Sequence, residues 1–229
     1  MLRKLVFGSL WLGFVTYAFF LAPPNQPDTA ELIKNLSTGQ FAGINPLVVS
    51  LFNLMGVLPL IYWCFLFPDG RGQRVRAWIF GVASLGVGAF ALLPYLALRQ
   101  PNPTFRGEKD WFLKLFDSRL TGVVLAIAAL GLLGYGITQG DWADFLNQWH
   151  TNRFIHVMSL DFCLLNLLIP ALLMDDMARR GWGDRRTIYW AVSLVPLLGV
   201  LTYLILRPPV QPATNPSPVA DGRKLPVTS

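Results

Sequence analysis

Residues 91–101 read ALLPYLALRQP and residues 199–209 read GVLTYLILRPP, and each stretch closes a long apolar segment. Leucine matches are cheap in such sequence. The weight falls on Tyr95 with Tyr203, Arg99 with Arg207 and Pro101 with Pro209, which recur in one register. Working outward, Asn45, a polar helix entry at 50–53, a charged turn at 69–74 and Trp78 precede the first ending. Asn152, the entry 159–162, the charged turn 175–180 and Trp190 precede the second. The chain therefore reads as two related halves, about 1–101 and 102–207.

Composition fixes the solvent. With 53% hydrophobic and 14% charged residues in 229, there is too little polar surface for a soluble globule, and the chain belongs in a bilayer. About 20 apolar residues cross a hydrocarbon core as a helix. Six stretches approach that length: 5–22, 47–67, 77–98, 120–138, 154–174 and 188–206. Three crossings per half would force the halves into opposite orientations. The expected fold is all-α, with six transmembrane helices arranged as two inverted three-helix repeats in one membrane domain, 1–207. Arg3 and Lys4 ahead of an apolar run also resemble a secretory signal. Leu21-Ala22-Pro23-Pro24 offers no clean cleavage site, so an anchor is expected. The Pro-rich polar tail, 208–229, is expected to be disordered.

On a six-span topology the loops carry seven basic residues on the N-terminal side before the distal tail and ten opposite. The positive-inside rule then leans toward the face holding the ten. The net charge of +6 is scattered among short loops without a groove-reading motif, so the lipid bilayer and its anionic headgroups, not nucleic acid, are the expected partner. Cys64 and Cys163 lie in apolar segments and read as small hydrophobes.

Only Asp161 and His156 are ionisable inside the expected spans, and an intramembrane carboxylate is costly enough to be a functional candidate. Asp161 is either a structural contact, with Arg153 or a neighbouring helix, or a proton- or ion-coupling group. His156, Ser159 and Asn166 form a polar stripe that serves as a packing seam, a water-lined path or a pigment site, since one imidazole can ligate one chlorophyll magnesium. Ser50 and Asn53 are the first half's polar candidates, and Pro59 and Pro94 its helix breakers. Gly81, Gly86 and Gly88 in the third span, with Gly131, Gly134 and Gly136 in the fourth, are expected to permit close helix packing. Catalytic and metal-ligand signatures are absent, so no enzyme and no metal are expected. Asp175 and Asp176 beside Arg179 and Arg180 read as surface ion pairs.

The Asn-containing entry, charged turn, aromatic and LP-x-x-L-x-L-R close resemble the small three-helix bacterial proteins grouped as domain of unknown function 2834, here at double length. The PDGRGQRVRAW turn and the stretch 159–182 look like those of cyanobacterial and plastid integral membrane proteins. The resemblance covers most of 45–209. It departs from symmetry where the first half carries Phe52 and Asn53 and the second carries Asp161. It implies a photosynthetic host and a thylakoid or bacterial inner-membrane address but no activity; with that address, sparse intramembrane polar groups and abundant aromatics at the expected interfaces lean toward a non-enzymatic accessory or assembly factor of a photosynthetic membrane. The alternative is a small secondary transporter or channel with its site between the halves.

Overall fold

The computed structural model describes residues 2–105 and 107–210; most of the tail expected to be disordered, 211–229, lies outside the described residues. Four helices are long and apolar enough to cross a membrane: Leu2–Leu21, Pro46–Gly70, Arg119–Gln139 and Arg153–Arg179. The first is α1 (Leu2–Thr16) continued by a π-helical turn (Tyr17–Leu21). The second and third are α3 (Pro46–Gly70) and α7 (Arg119–Gln139). The fourth is α9 (Arg153–Leu168) with α10 (Pro170–Arg179). Pro170 interrupts it, and the Leu165 carbonyl beside this break accepts a 2.5 Å hydrogen bond from the Tyr62 hydroxyl on α3.

The segments expected as the third and sixth spans do not cross. Each is a pair of short helices folded back on itself: α4 (Ala77–Val87) with α5 (Ala89–Leu98), and α11 (Arg186–Leu194) with α12 (Leu198–Leu206). Arms of 9–11 residues reach about 14–16 Å, half of a core about 30 Å thick. The two ends of each hairpin meet. Gln73, before α4, donates through Nε2 to the Gln100 carbonyl after α5 (2.6 Å) and accepts from the Gln100 N–H (2.9 Å). Arg180, before α11, donates to the Pro208 carbonyl after α12 (2.5 Å). The first hairpin turns at Gly88, whose φ of 51° and ψ of −126° suit a residue without Cβ. The second turns at Leu197, φ 59°, in a tight three-residue turn closed by Leu198 N–H on the Pro196 carbonyl (2.7 Å).

The all-helical fold is as expected, but six spans and inverted repeats are not shown: with two helices of spanning length per half, both halves run the same way. α3 and α10 end side by side, with Arg179 Nη1 donating to Asp69 Oδ1 (3.2 Å). α1 and α7 run opposite to them: Tyr17 reaches His156 near the start of α9, and Gly136 near the end of α7 lies against Ser50. The halves share one element order. In each, a long helix leads to a short amphipathic one, α2 (Thr29–Thr38) or α8 (Trp142–Thr151), then to a second long helix and a hairpin. A six-residue helix, α6 (Trp111–Phe116), joins them.

The register of the second long helix is shared as well. Asn45 and Asn152 cap its start through their side-chain oxygens, and Asp69 and Asp176 follow each cap by the same 24 residues. Between them Leu58 and Leu165, and Phe65 and Leu172, are buried in pairs. The core runs along α3, α9 and α10 and the inner faces of both hairpins. Gly122 and Gly136 let α7 approach α12 and α3 so closely that a Cβ would meet Leu204 or Ser50, whereas Gly131 and Gly134 face open space. The expected close-packing role therefore holds for Gly136, and for Gly81 against Trp63, and not for Gly86, Gly131 or Gly134, while Gly88 serves a turn.

This topology sorts the charges. The face carrying the helix ends at Asp69 and Asp176 receives Arg3, Lys4, Arg71, Arg74, Arg76, Arg99, Lys109, Lys114, Arg119, Arg179, Arg180, Arg185, Arg186 and Arg207. Among the described residues the opposite face keeps Lys34 and Arg153. The near balance expected from six spans came from assigning both hairpins as crossings.

Candidate functional site

Two polar centres occupy the two ends of the molecule. The first is an ion-pair lattice at the basic face. Asp69 ends α3 and accepts from the Tyr95 hydroxyl (2.5 Å) and from Arg99, both at the close of the first hairpin. Asp176 on α10 accepts from the Tyr203 hydroxyl (2.8 Å) and from Arg207 (3.1 Å), at the close of the second. The repeated Tyr and Arg of the two sequence endings thus hold the repeated Asp of the two long helices. Cross-links join the sets: Arg99 also pairs with Asp175, and Arg179 with Asp69. Arg180 bridges Asp176 (2.8 Å) and Asp117 (2.6 Å).

The expectation of surface ion pairs at 175–180 is corrected for Asp176, Arg179 and Arg180, whose side chains are 0% exposed; Asp175 keeps 16% of its side-chain surface. Four aspartates and four arginines cancel, which is what lets charge be buried at all. Asp117 lies in the loop ahead of α7. Burial pushes its carboxyl up, but Arg180, Lys109 and Arg207 outweigh that and hold it below its ordinary value. Its Oδ2 also accepts from the Val210 N–H (3.1 Å), so residues 208–210, expected to belong to the disordered tail, are tied to the lattice. Sequence reading placed Asp69 in a charged turn and Asp176 among surface ion pairs, and missed that both are buried on the repeated Tyr and Arg. Their equal distance from Asn45 and Asn152 was the available signal.

The second centre is Asp161. It does not pair with Arg153. Its Oδ1 accepts from the Ala89 N–H (2.8 Å), the first amide of α5, and so caps from the second half the tip of the first half's hairpin. Its Oδ2 lies over Gly88, where any Cβ would strike the carboxylate. In the shared register the position equivalent to Asp161 is Leu54, so only one half carries an acid here. Asp161 lines a cavity of about 560 Å³ that runs from Asn25, Thr29 and Arg153 at the rim to the hairpin tip at residues 84–88. Eight residues of α9 separate Arg153 from Asp161, about 12 Å along the axis. Arg153 is fixed at the rim by its Nε on the Pro23 carbonyl (2.9 Å).

The remaining candidates are satisfied locally. His156 has partners at both ring nitrogens, the Trp149 carbonyl at Nδ1 and the Tyr17 hydroxyl at Nε2, each at 2.8 Å. The carbonyl only accepts, so Nδ1 carries a proton and, in the neutral ring, Nε2 accepts from tyrosine. A magnesium at Nε2 would have to displace Tyr17. Ser159 donates to the Ile155 carbonyl and Asn53 to the Val49 carbonyl, each one turn back. Asn166 donates to the Phe162 carbonyl and leaves Oδ1 buried without a partner. None of the stripe residues His156, Ser159 and Asn166 lines the cavity that Asp161, on another side of the helix, opens to. Among the described residues no cluster of His, Cys, Asp or Glu could hold a metal ion. No protein-family model, curated protein or solved structure matches the chain.

Proposed function

We propose that this chain is a multi-pass membrane carrier that admits a small amphipathic solute to the Asp161 cavity and passes it on by rearranging its hairpins against the long helices. The observation that carries the reading is a cavity of about 560 Å³, within the range of small-molecule sites, that stops part-way through the membrane on a broken helix. Irregular backbone at this depth is tolerated where it is buried or lines a cavity, and discontinuous helices carry the sites of many carriers. Beyond that floor, the ion-pair lattice holds both hairpins against their long helices and closes the opposite face. Breaking it would open that side. The thylakoid or inner-membrane address rests on the sequence resemblance alone, and the role of accessory or assembly factor on that address with the sparse polar groups and abundant aromatics of the sequence.

The test is access from each side. Val157, on the cavity wall, is replaced by cysteine in a chain carrying Cys64→Ala and Cys163→Ser, and sealed vesicles of known orientation meet an impermeant maleimide. A carrier resting in this state labels from the face of Lys34 and Arg153 only. Asp69→Asn, which loosens the lattice, raises labelling from the basic face. A Val157→Cys chain that labels from neither side in both backgrounds has a dry pocket and is not a carrier.

A further inference from the structure

We infer that the solute of the Asp161 cavity is a monoamine cation on an apolar, ring-bearing body, with its ammonium on Asp161. This rests on the reading of the cavity as a solute site. Below the rim, Asp161 is the only charged side chain among the described residues that line the cavity. One of its oxygens is committed to the Ala89 N–H, and among the described residues no group donates to the other. An ionised carboxylate only accepts. A neutral apolar solute would leave that oxygen unpaired in a desolvated place, an anion would be repelled, and an ammonium brings three donors.

The walls agree with the floor. Phe19, Phe52, Phe90 and Phe154 surround the space, and aromatic faces attract a desolvated cation while packing against an apolar body. Met55 and Met158 give the walls some adaptability. The approach agrees too: the face around the rim carries Asp28, Glu31, Asp141 and Asp144 against Lys34 and Arg153, a net negative field that concentrates cations. Arg153 narrows the class. Fixed about 12 Å above Asp161 by its bond to the Pro23 carbonyl, it would repel a second ammonium at the outer end, so a diamine is disfavoured.

The full chain in lipid nanodiscs is titrated calorimetrically with phenethylamine, with its neutral analogue phenethyl alcohol and with phenylacetate. Phenethylamine is expected to bind about tenfold or more tighter than the alcohol, the margin of a charge-assisted hydrogen bond, and phenylacetate not to bind. Asp161→Asn keeps the cap on Ala89 and should lose the amine preference while binding the alcohol as before. Val157→Trp fills the cavity without touching the cap and should abolish amine binding; retained binding overturns the site. Equal affinity for amine and alcohol in the unmodified chain overturns the amine assignment and leaves the cavity a solute site. If none of the three binds, the amine assignment fails, and the carrier reading falls with it only if Val157→Cys also resists labelling.

Discussion

Asp161 holds a hairpin tip by one hydrogen bond, and what matters there is the acceptor oxygen more than the charge. Asparagine keeps an oxygen in the same place. Asp161→Asn should therefore accumulate in membranes near the unmodified level. Asp161→Leu strands the Ala89 N–H, on a residue that is fully buried, at a cost of about 1–3 kcal/mol, and should accumulate poorly. Gly88→Ala should do worse than either. Its backbone sits at φ 51°, ψ −126°, outside the regions open to residues with a Cβ, and the new methyl would drive into the Asp161 carboxylate. Accumulation and thermal unfolding in mild detergent measure all three. Loss of the Asn variant as complete as that of the Leu variant would mean that charge, not the acceptor, holds the tip.

At the scale of elements, both hairpins are pinned at their bases, which are equivalent, and the first is pinned at its tip as well, by Asp161. Tyr95 on Asp69 and Tyr203 on Asp176 make the same buried contact to an arginine-paired carboxylate. Tyr95→Phe and Tyr203→Phe should each lower stability by about 1.5–3 kcal/mol, the range for hydrogen bonds to charged groups. Thermal unfolding of both variants checks this; a cost at only one base would mean that the two endings, alike in sequence, are not alike in role. The repeat was legible because Tyr, Arg and Pro are rare enough in apolar sequence to mark a register. The hairpins were not. Segment 77–98 has the length and apolarity of a span, and hydropathy does not register a reversal at a single glycine such as Gly88 or at the turn around Leu197. The lattice was half legible: the arginines and tyrosines were found, but Asp69 and Asp176 looked like ordinary turn residues because membrane depth was counted from the wrong boundaries. Asp161 was found from cost alone, since a carboxylate among Leu160, Phe162 and Cys163 stands out. Its partner was not, because Ala89 lies 72 residues away and contributes only a backbone amide.

For the whole molecule, two crossings per half leave the N-terminus, both hairpin bases and residue 210 on one face. That face carries fourteen of the sixteen basic residues among those described. Seven acidic residues of the same face partly offset them, Asp69, Glu108, Asp110, Asp117, Asp175, Asp176 and Asp184, but acidic residues contribute little to orientation. The basic face should therefore be the cytoplasmic or stromal one, reversing the lean that six spans produced. The four-span topology and the charge bias also support each other: two crossings per half return fourteen of the sixteen described basic residues to one side, whereas three per half scatter the same residues over both. Reporter fusions at Met1 and after Val210 should both read as cytoplasmic, and a fusion in the loop at Gly39 as external. An external reading at either end beside a cytoplasmic one at the other would require an odd number of crossings, and the paired return of α5 and α12 to their own starting faces would then be wrong.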